Sequence, residues 1–590
     1  MDDKEAEKGN SRKVQHYWEE GQGGFRAAMF LFVWAAFENM GFVANMCNFV
    51  MYFKDVMHFG ITGSAIRVIV LMALTFLLSI VGGFISDNFL SRFTTAIIFG
   101  GVELLGLMML TIQAHYPRLR PRPCRDGICD HLEGGNAMFF YATLCLLALG
   151  TGGVRGSTPA LGADQFNAKD PKESQALASY FNWLFLSITV GATFGVTFIV
   201  YLSTIRNWDL SFFTCLAGAL IGFIALAIGK PFYRIQPPED NSPIMRIIQV
   251  IVVAYRNRGL LLLEKHELYE INDKETSLDE ERIPHSDQFR FLDKAAFLEK
   301  GATADRWRVC TVTQVEELKV LIRMVPILAS TVGMNVCLAQ LQTFTIYQGS
   351  AMNRKLGSFE IPAASVPVIP VVIMNILMPF YEYIFVPFAR KITNHPSGIT
   401  QLQRIGAGLV LSIVSMSVAG MVEVKRKNHS LIDHNSISVF WLTFQYATFG
   451  VADMLTLPGL LEFFYKEAPV GMRSLSTSFT WLSLSAGYIL SFILVVIINL
   501  ATKKFSDSGK GWLNGKDLNS CNLSMFYWFL AVLSLANFVN YLFWSNWYKY
   551  KKEETPLEVP SNNASLVESN LNDKDSGDHK QEERQEDDEP

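Results

Sequence analysis

Glu38, Glu103, Arg155 and Glu462 each interrupt an apolar stretch of this chain: "WAAFENMGFVANM" holds the first, "FGGVELLGL" the second, "LALGTGGVRGSTPALG" the third and "LTLPGLLEFFY" the fourth. A charge at the centre of a membrane helix costs ~2.5–3.5 kcal/mol on insertion scales, so such residues are kept where they relay protons, hold substrates or pair with one another. A carboxyl group there can load and release a proton, and a guanidinium can grip a carboxylate. Each also has a plainer reading, as an interhelical salt bridge or a side chain snorkelling to the interface. For Glu103 the plainer reading is preferred, because nothing around it suggests a pathway and polar groups in bundles often serve packing. For Glu38, Arg155 and Glu462 a functional role is preferred.

The elements that must position these groups follow from hydropathy. Apolar residues make up 50% of the 590 positions, and their distribution decides the fold class. They gather into blocks of about 20 residues, the length that crosses a hydrocarbon core of about 30 Å. The blocks are 27–53, 66–86, 93–114, 137–158, 178–203, 210–233, 319–348, 366–388, 402–424, 438–463, 475–501 and 523–547. In hydrocarbon only a helix satisfies every backbone polar group within one segment, so the chain reads as an all-α membrane protein with twelve transmembrane helices. Six helices, a polar stretch and six more helices outline a two-lobed transporter with its site between the lobes. The expected organisation is an N-terminal cytosolic segment over 1–26, a six-helix lobe over 27–233, a cytosolic central loop over 234–318, a second lobe over 319–547 and a disordered acidic cytosolic tail over 548–590.

The first 26 residues lack the apolar core and small-residue cleavage site of a signal peptide, so helix 1 is expected to remain as an anchor. The central stretch is rich in Lys, Arg, Glu and Asp, which places it in the cytosol. Arg118, Arg120, Arg122 and Arg125 then fall in an outer loop, as do Lys425, Arg426 and Lys427, so topology rests on segment count and the central loop. Within that loop "SPIMRIIQVIVVAYRNR" offers Ser242 as a cap and Pro243 as the first helical residue, and it is too short to span; a lateral helix along the membrane or against the bundle is expected. The tail after Glu553 lacks aromatics and cannot bury enough surface to fold. Cys124 and Cys129 share the loop between helices 3 and 4, where either a disulfide or a reduced pair is consistent with the spacing.

Gly150, Gly152, Gly153, Gly156 and Pro159 crowd helix 4, and Pro458 and Gly459 fall in helix 10, its counterpart in the second half. Interrupted helices at corresponding places point to a transporter's site and its moving parts. An inter-lobe gate between Arg155 and Glu462 is therefore expected at the cytosolic side. The glycines do not form a nucleotide-binding loop, since no strand precedes them. The sequence has no Walker A run, nucleophile elbow or HExxH motif, so an enzyme is the least supported class, and no cofactor, resident metal or nucleic-acid partner is implied. The expected partners are a small-molecule substrate, protons and the lipid bilayer.

"GTGGVRGSTPALGADQFNAKDPKES", "HSDQFRFLDKAAF", "WRVCTVTQVEELKVLIRMVPI", "NRKLGSFEIPAAS" and "LEFFYKEAPVGMRSLSTS" resemble the plant nitrate and peptide transporter family, the plant branch of the proton-coupled oligopeptide transporters. The resemblance runs from helix 1 to helix 12. It implies a major facilitator fold, a plasma-membrane carrier, and substrates drawn from nitrate, peptides, glucosinolates and hormones such as abscisic acid and gibberellins. "GGFISDNFLSRF" resembles the superfamily motif between helices 2 and 3; Gly83, Asp87 and Arg92 are kept, with Ser91 where Gly is usual, and they are expected to act as a cytosolic latch. By the same resemblance Arg155 stands for the family's helix 4 lysine and Glu462 for its helix 10 glutamate. Thr95 aligns with a threonine that a kinase phosphorylates in the dual-affinity nitrate member, although an unmodified threonine is the preferred reading.

In helix 1 the family pattern of two glutamates followed by a base becomes Ala35, Glu38 and Asn39, so one charge of three remains. Glu38 is expected to carry proton coupling, in weakened or altered form. The nitrate-binding histidine position corresponds to Leu338, which cannot offer the charged hydrogen bond a small hydrated anion needs. Thr189 stands in helix 5 where peptide-carrying relatives often have Asn. One acid, one Arg and apolar walls suit a larger, partly apolar organic acid, and "ENMGFVANM" resembles the subgroup with abscisic acid and gibberellin carriers. Asn39, Leu338, Gln340, Phe344 and Trp481 are expected to line the substrate cavity; packing between lobes or against lipid suits the last four equally. The expected function is thus secondary active transport of such an acid by alternating access. The alternatives are a low-affinity nitrate, small-anion or peptide carrier, and a transport-inactive ligand sensor.

Overall fold

The computed structural model describes residues 22–59, 61–122, 132–167, 170–205, 207–236, 243–259, 268–269, 283–297, 307–356, 359–361, 365–393, 397–432, 436–504, 511–513 and 518–550. Among them are 12 helices long and apolar enough to cross a membrane. The first six are α1 (Gly24–Asp55), α2 (Ile61–Asn88), α3 (Arg92–His115), α4 (Gly134–Ala163), α5 (Pro171–Phe194) and α6 (Trp208–Ile228). The second six are α7 (Val312–Ser350), α8 (Val368–Phe380), α9 (Gln401–Ile432), α10 (Leu442–Glu467), α11 (Arg473–Thr502) and α12 (Leu523–Trp547). Two of them carry one π-helical turn each: Gly195–Ile199 extends α5 into Val200–Ile205, and Tyr381–Phe385 extends α8 into Val386–Thr393. The only strands among the described residues are β1 (Lys355–Leu356) and β2 (Phe359–Glu360), an antiparallel pair after α7. Residues 551–590 of the expected tail and the Cys124–Cys129 loop lie outside the described residues.

Helix starts follow local capping chemistry. The Ser91 hydroxyl accepts the Thr94 amide at the head of α3, Asp170 accepts the Lys172 amide ahead of Pro171 in α5, and Thr311 and Gln314 form a reciprocal capping box at α7. Helices then outrun their apolar cores. α9 continues to Ile432, so Lys425, Arg426 and Lys427 are helical rather than loop residues. Each has a partner that explains this: Lys425 lies 3.5 Å from the Trp441 ring centroid, Arg426 grips Glu423 at 2.7 and 2.8 Å, and Lys427 reaches the Cys521 carbonyl at 3.0 Å.

The helices pack as two lobes, α1 to α6 and α7 to α12. The lobes meet where α2 and α4 face α11, and where α5 faces α8 and α10, while α1 and α7 make no extended contact. Small residues set the closest approaches. A Cβ on Gly82 of α2 would lie 2.6 Å from the Cα of Gly153 on α4, and one on Gly150 of α4 would lie 2.6 Å from the Cα of Glu103 on α3. The glycines of α4 therefore do not interrupt it; the helix is continuous, Pro159 included, and its glycines let α2 and α3 pack backbone to backbone. α10 is likewise continuous through Pro458.

A lateral helix, Pro243–Arg256, lies between the lobes in sequence. Val250, Val253 and Ala254 pack it against Leu292, Ala295 and Cys310 of the α6–α7 connection and Leu318 of α7, and Arg246 pairs with Glu317 at 3.6 Å. Met245, Ile248, Val252 and Tyr255 form its exposed apolar face. The end of the bundle that bears this connection is termed the loop end.

Candidate functional site

Glu38 is fixed by the turn of α1 that contains the sequence Ala35 to Asn39. The Asn39 amide donates to the Ala35 carbonyl at 2.9 Å and to Glu38 Oε2 at 2.6 Å. Arg155 arrives from α4 and, through Nη2, donates to Glu38 Oε1 at 3.1 Å and to Asn39 Oδ1 at 2.9 Å. All three side chains are buried, so carboxylate, amide and guanidinium close one polar triangle inside an apolar bundle. By the helical rise Glu38 sits about 21 Å along α1 from Gly24, near mid-bundle.

Aromatic rings enclose the guanidinium. Its Cζ lies 4.2 Å from the centroid of Phe42 and 5.0 Å from that of Trp481, and Phe76 stacks on Trp481 at 5.9 Å. A cation over ring faces is stabilised by the ring quadrupole, more so when both are desolvated. Trp481 belongs to the other lobe, and its indole N–H donates to the Arg155 carbonyl at 3.0 Å. The Arg155 Nε–H is buried without a hydrogen-bond partner.

The expected pairing of Arg155 with Glu462 is not what the structure holds. Glu462 accepts from Ser397 at 2.6 Å, Gln401 at 2.9 Å and Lys466 at 2.9 Å, all within its own lobe. Four residues separate Glu462 from Lys466, which puts them on one face of α10, and that face turns towards α9 rather than towards Arg155. α10 also carries Asp453, nine residues before Glu462 and half-buried. Asp453 makes no ion pair or side-chain hydrogen bond among the described residues.

At the loop end Gly83, Asp87 and Arg92 do come together, against the start of α11. A Cβ on Gly83 would lie 2.8 Å from the Ser474 carbonyl, so only glycine admits this approach. Asp87 accepts the Leu475 amide at 2.8 Å and the Ser474 amide at 3.3 Å, placing a carboxylate on the free N–H groups of α11. Arg92 donates to Asp87 at 3.2 Å and to the Ser474 hydroxyl at 2.7 Å, and pairs with Asp164. Asp164 in turn accepts from Tyr465 of α10 at 2.7 Å, and Arg473 donates to Tyr465 at 3.2 Å. Asp164, Tyr465 and Arg473 were not foreseen, because their roles depend on the lobes meeting.

A profile described as the POT family matches residues 93–513. The chain belongs to the POT family. The Arabidopsis thaliana protein named NRT1/ PTR FAMILY 4.3 is 43% identical over 538 residues, covering 89% of this chain and 90% of the relative. NRT1/ PTR FAMILY 4.6 of the same plant is 39% identical over 559 residues, covering 90% and 94%. Among solved structures, an auto-inhibited POT family peptide transporter superposes with a TM-score of 0.61 at 17% identity, covering 90% of this chain and 99% of that one. A POT family transporter in complex with 5-aminolevulinic acid superposes at 0.56 with 14% identity, covering 89% and 98%. This POT chain is thus a membrane transporter of the major facilitator type for small molecules or peptides, and not an enzyme.

The remaining expected wall residues fall into packing positions. Gln340 is buried and donates to Ser491 at 2.6 Å, Phe344 meets the Phe526 ring edge-on at 5.7 Å, and Leu338 is half-buried against the core of the second lobe. Trp481 is 4% exposed, held between α2, α4 and α11 as described. Of the expected cavity group, Asn39 is a corner of the polar triangle and Trp481 covers its guanidinium. Thr189 donates to Asn375 of α8 at 2.6 Å, a link between lobes. Thr95 is fully buried, its hydroxyl without a partner. The one grouping of described residues with metal-ligating spacing, His285, Asp293 and Glu316, already holds the Lys319 ammonium at 2.6 Å from Asp293 and 2.8 Å from Glu316.

Proposed function

We propose that the chain is a proton-coupled carrier of the plasma membrane that moves an amphipathic organic acid, such as abscisic acid or a gibberellin, by alternating access between its lobes. The observation that carries this reading is Arg155, a guanidinium at mid-bundle enclosed by Phe42, Phe76 and Trp481 and held by a single carboxylate, Glu38. A substrate carboxylate suits the same guanidinium in two-pronged fashion, and ring faces suit an apolar body. That a fold neighbour was crystallised with 5-aminolevulinic acid, itself a small organic acid, is in keeping with it. When a proton loads Glu38, its hold on Arg155 weakens and the guanidinium becomes available to the substrate.

By the positive-inside rule, the Lys- and Arg-containing connection between the lobes supports a cytosolic loop end. Asp87, Arg92 and Asp164 with Arg473 then form the cytosolic latch, closed here, whose opening completes the cycle. A kinase acting at Thr95 would need that end to open first, since the hydroxyl is buried. Labelled abscisic acid, gibberellin and nitrate offered to cells expressing the chain test the substrate class: saturable hormone uptake that excess nitrate does not compete supports it, and nitrate uptake alone overturns it.

A further inference from the structure

Glu103 of α3 is 4% exposed, and its position is set by Gly150, whose missing side chain brings α4 against the Glu103 backbone. The Thr151 hydroxyl bonds its carboxyl, while Glu103 Oε2 is buried with no hydrogen-bond partner. Glu38 and Glu103 line one cavity, with Asn45, Thr75 and Thr151 as its other polar walls and Phe42, Leu71, Met72 and Leu147 among the apolar ones. About 30 Å³ of it is open to the centre of a water-sized sphere, room for one or two waters with polar partners.

The charge count is unbalanced. From the elements packed around the cavity, α1 brings Glu38, α3 brings Glu103 and α4 brings Arg155 alongside, while α2 and α6 contribute uncharged side chains such as Thr75 and Ala219. One guanidinium neutralises one carboxylate, and a second bare carboxylate in such surroundings is costly. We propose that Glu103 is a proton-binding carboxyl that shares one exchangeable proton with Glu38 across this cavity. It supplies from α3 the second acid that Ala35 removes from α1. In the transfer the Glu103 carboxylic acid gives its proton, through water, to the Glu38 carboxylate. Glu103 becomes the anion, Glu38 becomes neutral, and Arg155 is released to an incoming organic carboxylate.

This deepens the proposed proton-coupled transport, and its test separates the two. Infrared spectra of the purified full chain in liposomes at neutral pH are expected to show a protonated-carboxyl band that shifts in D2O. The band is lost in Glu103→Gln, restored in Glu103→Asp and kept in Glu462→Gln. A band unchanged in a folded Glu103→Gln overturns the proton site whether or not any substrate moves. In the same liposomes, uptake of labelled abscisic acid is expected to lose its dependence on outside pH in Glu103→Gln. An unaltered pH profile overturns the coupling role, whereas absence of flux in the wild type, with the infrared band still lost in Glu103→Gln, counts against the transport reading alone.

Discussion

Asp87 at the end of α2 accepts the backbone N–H of Leu475 in the first turn of α11, at 2.8 Å, so a carboxylate of one lobe caps a helix of the other. A charge–dipole contact of this kind couples the lobe interface to helix geometry as well as to the Asp87–Arg92 ion pair.

Asp87→Asn removes the charge and keeps the shape. A loss of about 1–2 kcal/mol from cap and ion pair shifts a two-state balance about 5- to 30-fold towards opening of the loop end. Thiol labelling of a cysteine at Ser478, buried under Gly83, is expected to accelerate in proportion. An unchanged rate would separate Asp87 from latching.

Arg155→Ala strands the Glu38 carboxylate in an apolar setting. Removing one partner of a buried pair costs about 3–5 kcal/mol, so thermal stability in detergent should fall clearly. Adding Glu38→Gln removes the stranded charge and should recover part of the loss. No recovery in the double variant would show that Glu38 is not the partner that matters.

Gly82→Ala drives a methyl into the Gly153 backbone and should destabilise by about 1–3 kcal/mol, with α2 forced off α4. Gly101→Ala on the same lobe meets nothing within 4 Å and should be neutral or slightly stabilising. Equal melting points for the two variants would contradict the close-packing account of the glycines.

Lys319 is fully buried between Asp293 and Glu316 and ties the α6–α7 connection to α7. Burial pushes the neighbouring Cys310 thiol up to about 11. Because the charged form is the disfavoured one, about one thiol in a thousand is thiolate at pH 8, and Cys310 should resist alkylation. Lys319→Met leaves two carboxylates facing one another, loosens the connection and should make Cys310 label readily. Fast labelling in the wild type would contradict the packing.

The twelve helices were legible because each apolar block must satisfy its own backbone, and Glu38 and Arg155 were legible because a charge in such a block is costly. Their pairing was not. Hydropathy gives the length of a helix but not its rotation against its neighbours, and that rotation turns Arg155 to Glu38 and Glu462 to Lys466, Ser397 and Gln401. The same gap hid Asp164 and Tyr465, which become a unit only where the lobes meet. The glycines of α4 were misread for a related reason: the residue type marks close approach as readily as interruption.

The central claim is that Arg155, held by Glu38, is the carboxylate-binding cation of a proton-driven carrier. Liposomes holding the purified chain, with an imposed pH gradient and labelled abscisic acid outside, test it most directly. The account predicts saturable, gradient-dependent accumulation that Arg155→Ala abolishes. Accumulation that persists in a folded Arg155→Ala, or specific ligand binding with no flux in the wild type, would contradict it.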